Sequence, residues 1–414
     1  MSTDKPIRVG VVGVGRGLSF ARGAEHAGLK LVALCDTWAE RLASAGKELG
    51  VTTYTEYDRF LEHDLDAVVL ANYFHEHAPF AIKALAAGKH VMSETSACKT
   101  LAEGVALARA VERSGRTYML AENYAYAAAI QDMRARYRAG AIGEVQYAEG
   151  EYVHPYTARN SLARSQGTQH WRHWIPNTYY CTHALSPVMY VTDTRPQSVN
   201  ALSIAQPVGA ERPWTLKRSD PAFVLLTRLS NGAVARLIGL QLRGHGTFYR
   251  FHGTRGLMET VRTGHRGHVR VVHDEFDRRP DEPAELLVTP DFPEHADLAR
   301  KAGHGGGDFF MDYHFAQAIR TGQPPYFDVY RALEMTLVGI QGWRSCLANG
   351  APFEVPDLRR EDVRQRYEAD DWSPMPQDRR PGQPPSSIRG ELTPTPEALA
   401  QARALWAERG YHGE

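Results

Sequence analysis

Two short pairs of tyrosine and histidine are the residues of this chain best suited to proton transfer. One residue separates Tyr152 from His154, and two residues separate Tyr180 from His183. An imidazole, or a phenol activated by its neighbours, accepts or delivers protons near neutral pH. Removing hydride from an alcohol carbon also requires removing the hydroxyl proton. The two pairs therefore predict a redox enzyme that acts on a carbinol.

The spacing within each pair indicates that its two side chains lie together. Tyr152 and His154 alternate along a predicted strand, so they share one of its faces, where they would serve either the chemistry or a polar surface. Tyr180 and His183 stand at the start of a predicted helix, where residues three apart are neighbours. We expect both pairs to face one cleft, which the surrounding elements must build.

The N-terminal part is predicted to be a doubly wound parallel sheet. Between residue 7 and about residue 125, apolar runs such as LKLVALCD alternate with amphipathic segments such as HAPFAIKALAAG, which end near glycine. This rhythm is typical of βαβ units and predicts an α/β fold of the Rossmann type.

A glycine-rich turn follows the first predicted strand. Gly13 permits a tight turn, Gly15 lets a pyrophosphate approach the backbone, and the helix that follows supplies free N–H groups. Leu18 replaces the usual third glycine, with Gly17 one position early. Asp36 ends the next predicted strand, where a carboxylate binds ribose hydroxyls and repels a ribose phosphate. The sequence therefore predicts NAD, and not NADP, as the cofactor.

The pattern changes after about residue 145 to strand-like runs, among them EVQYAEGEYVH, FVLLTRLS and GAVARLIGLQLR. These runs predict a C-terminal α/β domain with a mostly antiparallel sheet. We expect a Rossmann domain over residues 1–125 and a substrate and oligomerisation domain over 126–358, to which helices within 305–350 return. A Pro-rich extension over 359–414 is expected to cross the surface as a strap and to end in a helix.

Composition narrows the class of partner. The 48 basic and 48 acidic residues balance, so no overall field favours nucleic acid or an anionic membrane. No segment approaches the roughly 18 apolar residues of a membrane span, and the N-terminus lacks the pattern of a signal peptide. The four cysteines are far apart, which fits reduced thiols in a cytoplasmic protein. We expect a small-molecule substrate, no nucleic acid and no membrane.

The segment HAPFAIKALAAGKHVMSETSA, with Asn72 and His77 at its start, resembles the Gfo/Idh/MocA family of oxidoreductases up to Glu94. The resemblance implies a Rossmann domain whose strand ends hold a nicotinamide cofactor. The family's usual lysine, which helps to deprotonate the reacting hydroxyl, is replaced here by Thr95. Lys99 lies four positions later, and we expect it to be a solvated residue.

Further motifs resemble one branch of this family, the NAD-dependent α-N-acetylgalactosaminidases of glycoside hydrolase family 109. They include MLAEN, GEVQYAEGEYVH, HWRHWIPNTYYCTHALSP and GHGGGDFF, and the resemblance spans about residues 7 to 358. It implies catalytic acid and base roles for Tyr152, His154, Tyr180 and His183. The residues expected at the cofactor are Gly13, Gly15, Arg16, Gly17, Leu18, Asp36, Asn72, His77, Glu94, Asn123, Trp171 and Arg172.

Two other histidine-containing patterns are interpreted as structural. His75-x-His77 and His170-x-x-His173 have a spacing that metals accept, but no cysteine or carboxylate completes a recognisable set, so we expect no metal. The segment GHGGGDF lacks the lysine of a phosphate-binding loop, and we expect it to be a turn that brings a histidine and an aspartate toward the cleft.

Three functions fit these motifs. In the first, NAD takes hydride from a ring carbinol of a sugar, glycoside or cyclitol. In the second, transient oxidation at C3 permits elimination and water addition, so that the net reaction is glycoside cleavage. In the third, the chain binds NAD without catalysis. Which sugar, anomer and aglycone are bound is set by loop side chains. The exposed face of the second sheet leads us to expect a homodimer or homotetramer.

Overall fold

The computed structural model describes residues 5–205, 215–262 and 267–413. The strands of the first sheet are β1 (Ile7–Val12), β2 (Leu29–Cys35), β3 (Thr52–Tyr54), β4 (Ala67–Leu70), β5 (His90–Ser93) and β6 (Tyr118–Leu120). The helices between them are α1 (Gly17–Gly23), α2 (Ala39–Leu49), α3 (Tyr57–Leu61), α4 (His77–Ala86) and α5 (Leu101–Ser114).

The first sheet is parallel and has the order β3-β2-β1-β4-β5-β6. Strand β4 is buried throughout, because helices cover both faces of such a sheet. The strand order reverses between β1 and β4. In open parallel sheets, ligands bind beyond the carboxyl ends of the strands at this point of reversal, so the first sheet has the architecture of a nucleotide-binding domain.

The strands of the second sheet are β7 (Val145–Val153), β8 (Pro196–Ile204), β9 (Ala222–Leu229), β10 (Val234–Leu240), β11 (Gly246–Gly253), β12 (Leu257–Thr260), β13 (Val269–Val272), β14 (Glu285–Val288) and β15 (Phe353–Glu354). Its order is β14-β13-β12-β11-β7-β10-β9-β8-β15. Neighbouring strands are antiparallel except for β7 and β10, which pair in parallel. The predicted fold class, a Rossmann sheet followed by a mostly antiparallel sheet, is confirmed.

The remaining helices are α6 (Ala128–Arg138), α7 (Ala158–Ala163), α8 (Thr182–Thr192), α9 (Ala296–Ala299), α10 (Gly307–Thr321), α11 (Val329–Leu347), α12 (Glu361–Tyr367) and α13 (Pro396–Ala407). Helix α11 packs against β8 of the second sheet and against α5 of the first domain, so it joins the two. None of the helices in the described residues is both long enough and apolar enough to span a membrane.

Helix α8 lies directly on the inner face of the second sheet. A Cβ atom added to Gly150 of β7 would lie 2.0 Å from the carbonyl oxygen of Ala184 in α8, so only glycine permits this approach. Alternate residues of a strand share a face, and Tyr152 therefore points toward α8 as well. The close contact at Gly150 brings Tyr152 and His183 together.

Candidate active site

The glycine turn after β1 lies at the edge where the parallel strands end. Gly13 has a φ of 96°, and a Cβ atom there would lie 2.4 Å from the carbonyl oxygen of Ala71. Conformation and space both require glycine at this position. At Gly15 an added Cβ would have none of the described atoms within 4 Å. The turn therefore leaves room for a phosphate to approach the backbone.

Asp36 follows β2 and is held in place by two backbone groups. Its carboxylate accepts hydrogen bonds from the N–H of Val14 at 2.7 Å and from the N–H of Trp38 at 2.8 Å. A carboxylate offers about four acceptor positions, so acceptor capacity remains for ribose hydroxyls. The first strand, the second strand and the start of α2 together fix this acid at the nucleotide edge.

Three buried polar atoms along the strand ends lack a hydrogen-bond partner within the described ranges. They are Asn72 Oδ1 after β4, Thr95 Oγ1 after β5 and Asn123 Oδ1 after β6. A buried polar atom without a partner costs free energy, so such atoms indicate a missing ligand or water. Together with the open turn at Gly15 and the position of Asp36, they show that the residues present fit a bound dinucleotide.

Arg16 crosses the cleft from the glycine turn to α10. Its guanidinium donates to Glu94 at 2.9 Å and to the two carboxylate oxygens of Asp308 at 2.7 and 2.8 Å. The segment GHGGGDF forms a turn in which His304 lies 3.0 Å from the same carboxylate. Burial opposes ionisation, yet hydrogen bonds from His304 and Arg16 hold the pKa of Asp308 well below its usual range. Arg16 and Glu94, both predicted at the cofactor, thus form one ion-paired cluster with Asp308.

A buried carboxylate and imidazole form the centre of the site. His183, in the first turn of α8, donates from Nδ1 to Glu122 at 2.8 Å. Glu122 follows β6 and is fully buried. Because Nδ1 is engaged, Nε2 is the atom left to exchange a proton with a ligand. Glu122 was not predicted, although it stands beside Asn123 in MLAEN, and an acid directly after a buried strand was the available signal.

Three phenol rings surround His183. Their ring centres lie 4.7 Å from the imidazole for Tyr152, 5.0 Å for Tyr180 and 4.8 Å for Tyr124. Burial raises the pKa of all three phenols. They are therefore protonated near neutral pH and act as hydrogen-bond donors, which leaves His183 as the base. Tyr124 was also missed, because nothing in its local sequence distinguishes it from a packing residue.

His154 lies at the rim of this cluster. Its ring stacks on Tyr156 at 4.3 Å and approaches His245 at 4.7 Å, whereas the ring of Tyr152 is 5.8 Å away. Burial and the neighbouring His245 lower the pKa of His154. Its Nδ1 atom is buried and has no partner in the described part of the chain. The structure thus groups Tyr152, Tyr180 and His183, with His154 one ring further out.

A cleft with about 430 Å³ of empty volume opens beside Tyr180. Trp171 and Arg172 line it, and the guanidinium of Arg172 lies 4.3 Å from the centre of the Trp171 ring. Lys217 lines it as well and donates to Asn177 Oδ1 at 3.1 Å. Burial and the nearby charge of Arg172 lower the pKa of Lys217 to about 7. No local pattern marked Lys217 in the sequence, since it belongs to no helix or strand.

The interpretation of Lys99 as a solvated residue is wrong. Its side chain is 13% exposed, and its ammonium group lies 2.7 Å from the carboxylate of Asp378. Asp378 belongs to the C-terminal segment, which covers the start of α5. A contact between residues so distant in the sequence leaves no periodic pattern that could have revealed it.

Three of the four histidines with metal-like spacing are hydrogen-bonded to the backbone, and the fourth, His75, lies 3.2 Å from the side chain of Gln377. His77 donates from Nδ1 to the carbonyl of Ser96 at 2.9 Å, and His173 Nε2 lies 3.1 Å from the carbonyl of Ser165. Burial lowers the pKa of His173 to about 4. His170 Nδ1 accepts from a backbone N–H at 3.2 Å. Within residues 5–205, 215–262 and 267–413, no group of three His, Cys, Asp or Glu side chains could hold a metal ion.

Two family models match separate parts of the chain. Residues 7–122 match the oxidoreductase family with the NAD-binding Rossmann fold, Gfo/Idh/MocA. Residues 241–365 match the C-terminal domain of glycosyl hydrolase family 109. The matches confirm the predicted resemblance to these two families and NAD as the cofactor, and they identify an enzyme of oxidoreductase or glycosidase type.

Similar proteins match most of the length of this chain. A glycosyl hydrolase family 109 protein of Solibacter usitatus is 27% identical, with 86% of this chain and 88% of that protein covered. A glycosyl hydrolase family 109 protein of Streptomyces niveus is 28% identical, and the match covers 86% of this chain and 78% of that protein.

Solved structures share the fold. A levoglucosan dehydrogenase in complex with NADH and L-sorbose has a TM-score of 0.73 and 21% identity, covering 85% of this chain and 100% of that one. An inositol dehydrogenase homolog complexed with NAD+ from Azotobacter vinelandii has a TM-score of 0.69 and 20% identity, and the match covers 85% of this chain and 98% of that one.

Proposed function

We propose that this chain, whose residues 7–122 match the Gfo/Idh/MocA oxidoreductase family and whose residues 241–365 match the C-terminal domain of glycosyl hydrolase family 109, removes hydride from a ring carbinol of a sugar, glycoside or cyclitol. The Glu122–His183 pair carries this proposal, because it lies with Tyr152 and Tyr180 at the edge where the Rossmann strands end. A protein that only binds NAD has no proton-transfer step for which a buried carboxylate would orient an imidazole. Solved relatives named for levoglucosan and inositol support a carbohydrate substrate.

NAD, when bound, accepts the hydride that leaves the carbinol carbon. In the proposed step, His183 Nε2 takes the proton of the carbinol hydroxyl, and Glu122 stabilises the imidazolium that forms. Tyr152 and Tyr180 donate hydrogen bonds to the substrate oxygen. Thr95 cannot take this proton near neutral pH, because it is a neutral hydroxyl where the family has lysine. His183 therefore replaces that lysine in the proposed mechanism.

Net glycoside cleavage is a second candidate, favoured by the family 109 C-terminal domain and by the names of the relatives. Oxidation at C3 makes the C2 proton acidic, and its removal expels the substituent at C1. Water adds across the new double bond, its hydroxyl to C1 and its proton to C2, and the same hydride returns to C3. One water is consumed, and the cofactor ends as it began. The additional proton transfers would use His154 or Tyr180 beside His183.

One experiment in D₂O distinguishes the two reactions. The enzyme is incubated with nitrophenyl glycosides and with free sugars, while NADH absorbance, aglycone release and the proton spectrum of the product are followed. Simple oxidation accumulates NADH in proportion to oxidised sugar and leaves C2 unlabelled. Cleavage releases aglycone, places deuterium at C2 and accumulates no NADH. If neither product forms with any sugar while NAD binds tightly, the catalytic proposal fails.

We further propose a homodimer or homotetramer that pairs through the outer face of the second sheet. Leu202 is 60% exposed and Leu226 is 46% exposed on this face. Arg236 continues the face and lies 3.2 Å from both Glu149 and Glu151. An apolar patch beside paired charges is suited to a self-complementary contact. Light scattering should report an assembly that Leu202→Glu dissociates, and a wild-type monomer would contradict the proposal.

The domain limits and the location in the cell are also proposals. The change from the parallel to the mixed sheet supports a boundary near residue 125, and the end of the matched C-terminal domain supports another near residue 358. The cysteines are buried and free in the part of the chain that the structure describes, which supports a reducing, cytoplasmic environment.

A further inference from the structure

The C-terminal strap, residues 366–413, lies beyond both matched family models, the second of which ends at residue 365. It nevertheless binds the first domain at its start. Asp378 forms its ion pair with Lys99 at 2.7 Å. Gln377 lies 3.2 Å from His75, which follows β4. The strap therefore begins against the strand ends of the Rossmann sheet.

The middle of the strap is attached to the second domain. Ser387 donates to one oxygen of the buried Asp220 at 2.6 Å, and the N–H of Ile388 donates to the other at 3.0 Å. Helix α13 then packs on α7, where Trp406 donates from Nε1 to the carbonyl of Leu162 at 2.9 Å. These anchors determine where the last residues of the chain lie.

The end of the strap returns to the first domain beside Asp36. The ring of Tyr411 meets the ring of Trp38 edge-on, with centres 5.9 Å apart, and meets Trp406 at 6.1 Å. Trp38 in turn donates its backbone N–H to Asp36. Tyr411 thus lies beside the end of β2 and the carboxylate of Asp36, where the adenosine ribose binds in this fold.

We propose that Tyr411 completes the adenosine end of the NAD site, forming with Trp38 an aromatic wall that slows release of the cofactor. Adenine presents a flat apolar surface, and aromatic side chains bind such surfaces by stacking and edge contacts. Because α13 holds Tyr411 in place, NAD leaves only when the last residues of the strap move. The proposal rests on NAD binding and not on the reaction, so it can fail while the proposed function holds, and the reverse.

Two truncations that differ by one residue test the wall. One chain ends at Gly410 and lacks Tyr411, and the other ends at Tyr411. Loss of one aromatic contact should accelerate NAD dissociation about three- to tenfold in the shorter chain. Binding of ADP-ribose should weaken by the same factor, and binding of nicotinamide mononucleotide should not change. Dissociation is followed by fluorescence after an excess of competing nucleotide is added.

Point variants provide the matched controls. Tyr411→Phe keeps the ring and should release NAD like the wild type, whereas Tyr411→Ala should behave like the shorter chain. If Tyr411→Ala lowers the melting temperature without cofactor, Trp38→Leu examines the same wall from the first domain and should weaken ADP-ribose binding similarly. NAD release and ADP-ribose affinity within twofold of wild type in both alanine and leucine variants would overturn the proposal.

Discussion

Replacing Glu122 by glutamine examines the centre of the proposed mechanism with almost no change of shape. The carboxylate accepts the Nδ1 proton of His183 at 2.8 Å, and glutamine keeps an oxygen that can accept the same hydrogen bond. What disappears is the negative charge that stabilises the imidazolium when His183 takes the substrate proton. Glutamine can also present its amide N–H to Nδ1, which would favour the tautomer whose Nε2 is already protonated.

The size of the effect follows from charge and distance. Two unit charges about 4 Å apart attract by about 4 kcal/mol at an effective dielectric constant near 20. The amide dipole of glutamine restores part of this, so the loss should be about 3 to 4 kcal/mol. At about 1.4 kcal/mol per factor of ten, turnover should fall about 10²- to 10³-fold. NAD affinity should stay nearly unchanged, because the charge acts on the imidazolium and not on the cofactor.

The assay compares turnover of the wild type and Glu122→Gln on whichever sugar or glycoside the D₂O panel identifies. Glu334→Gln is the matched control, because Glu334 is also buried and ion-paired, to Arg195 and Arg359, but lies away from the cleft. The NMR spectrum of ¹⁵N-labelled histidine, a measurement that needs no substrate, should show that His183 of the wild type is protonated at Nδ1. Turnover within threefold of wild type in Glu122→Gln, with the tautomer unchanged, would refute the role of the pair.

Three further outcomes are expected. Asp36→Ser should relax the preference for NAD, because it removes the carboxylate that repels a ribose phosphate; equal or tighter NADP binding by the wild type in a titration of both cofactors would contradict this. Tyr180→Phe and His183→Ala should each lower turnover by about 10²-fold or more, with melting temperature and NAD affinity nearly unchanged, and full turnover in both would exclude these residues from the chemical step. Lys217→Met should remove a pH dependence of the free energy of unfolding. In the unfolded chain this lysine holds its proton up to its ordinary pKa of 10.5, whereas in the folded protein it loses the proton near pH 7. The free energy of unfolding of the wild type should therefore rise relative to that of the variant between pH 7 and pH 10.5. If urea denaturation gives the same difference between the two proteins at pH 7 and at pH 9.5, the pKa of Lys217 is not lowered.

The Rossmann sheet could be predicted from sequence because its strands are covered on both faces. Strand β4 is a continuous buried run, and such runs alternate with helices of clear periodicity. The short strands β13 and β14 were not singled out, because they carry charged residues such as Arg270 and Glu285 on an open face. The parallel pairing of β7 with β10 joins segments separated by two strands, and local patterns do not determine such pairings.

Some residues of the candidate site could likewise be predicted from the sequence, and others could not. Tyr152, Tyr180 and His183 could be singled out because their spacing marks a shared face, but their meeting depends on the approach of Gly150 to Ala184. Glu122 could not be assigned to His183 from sequence, since it comes from the first sheet and the imidazole comes from a helix on the second. This origin has a mechanistic consequence. Any motion that separates the two domains removes the carboxylate from the imidazole, so the proposed proton transfer is competent only when the domains are closed on each other.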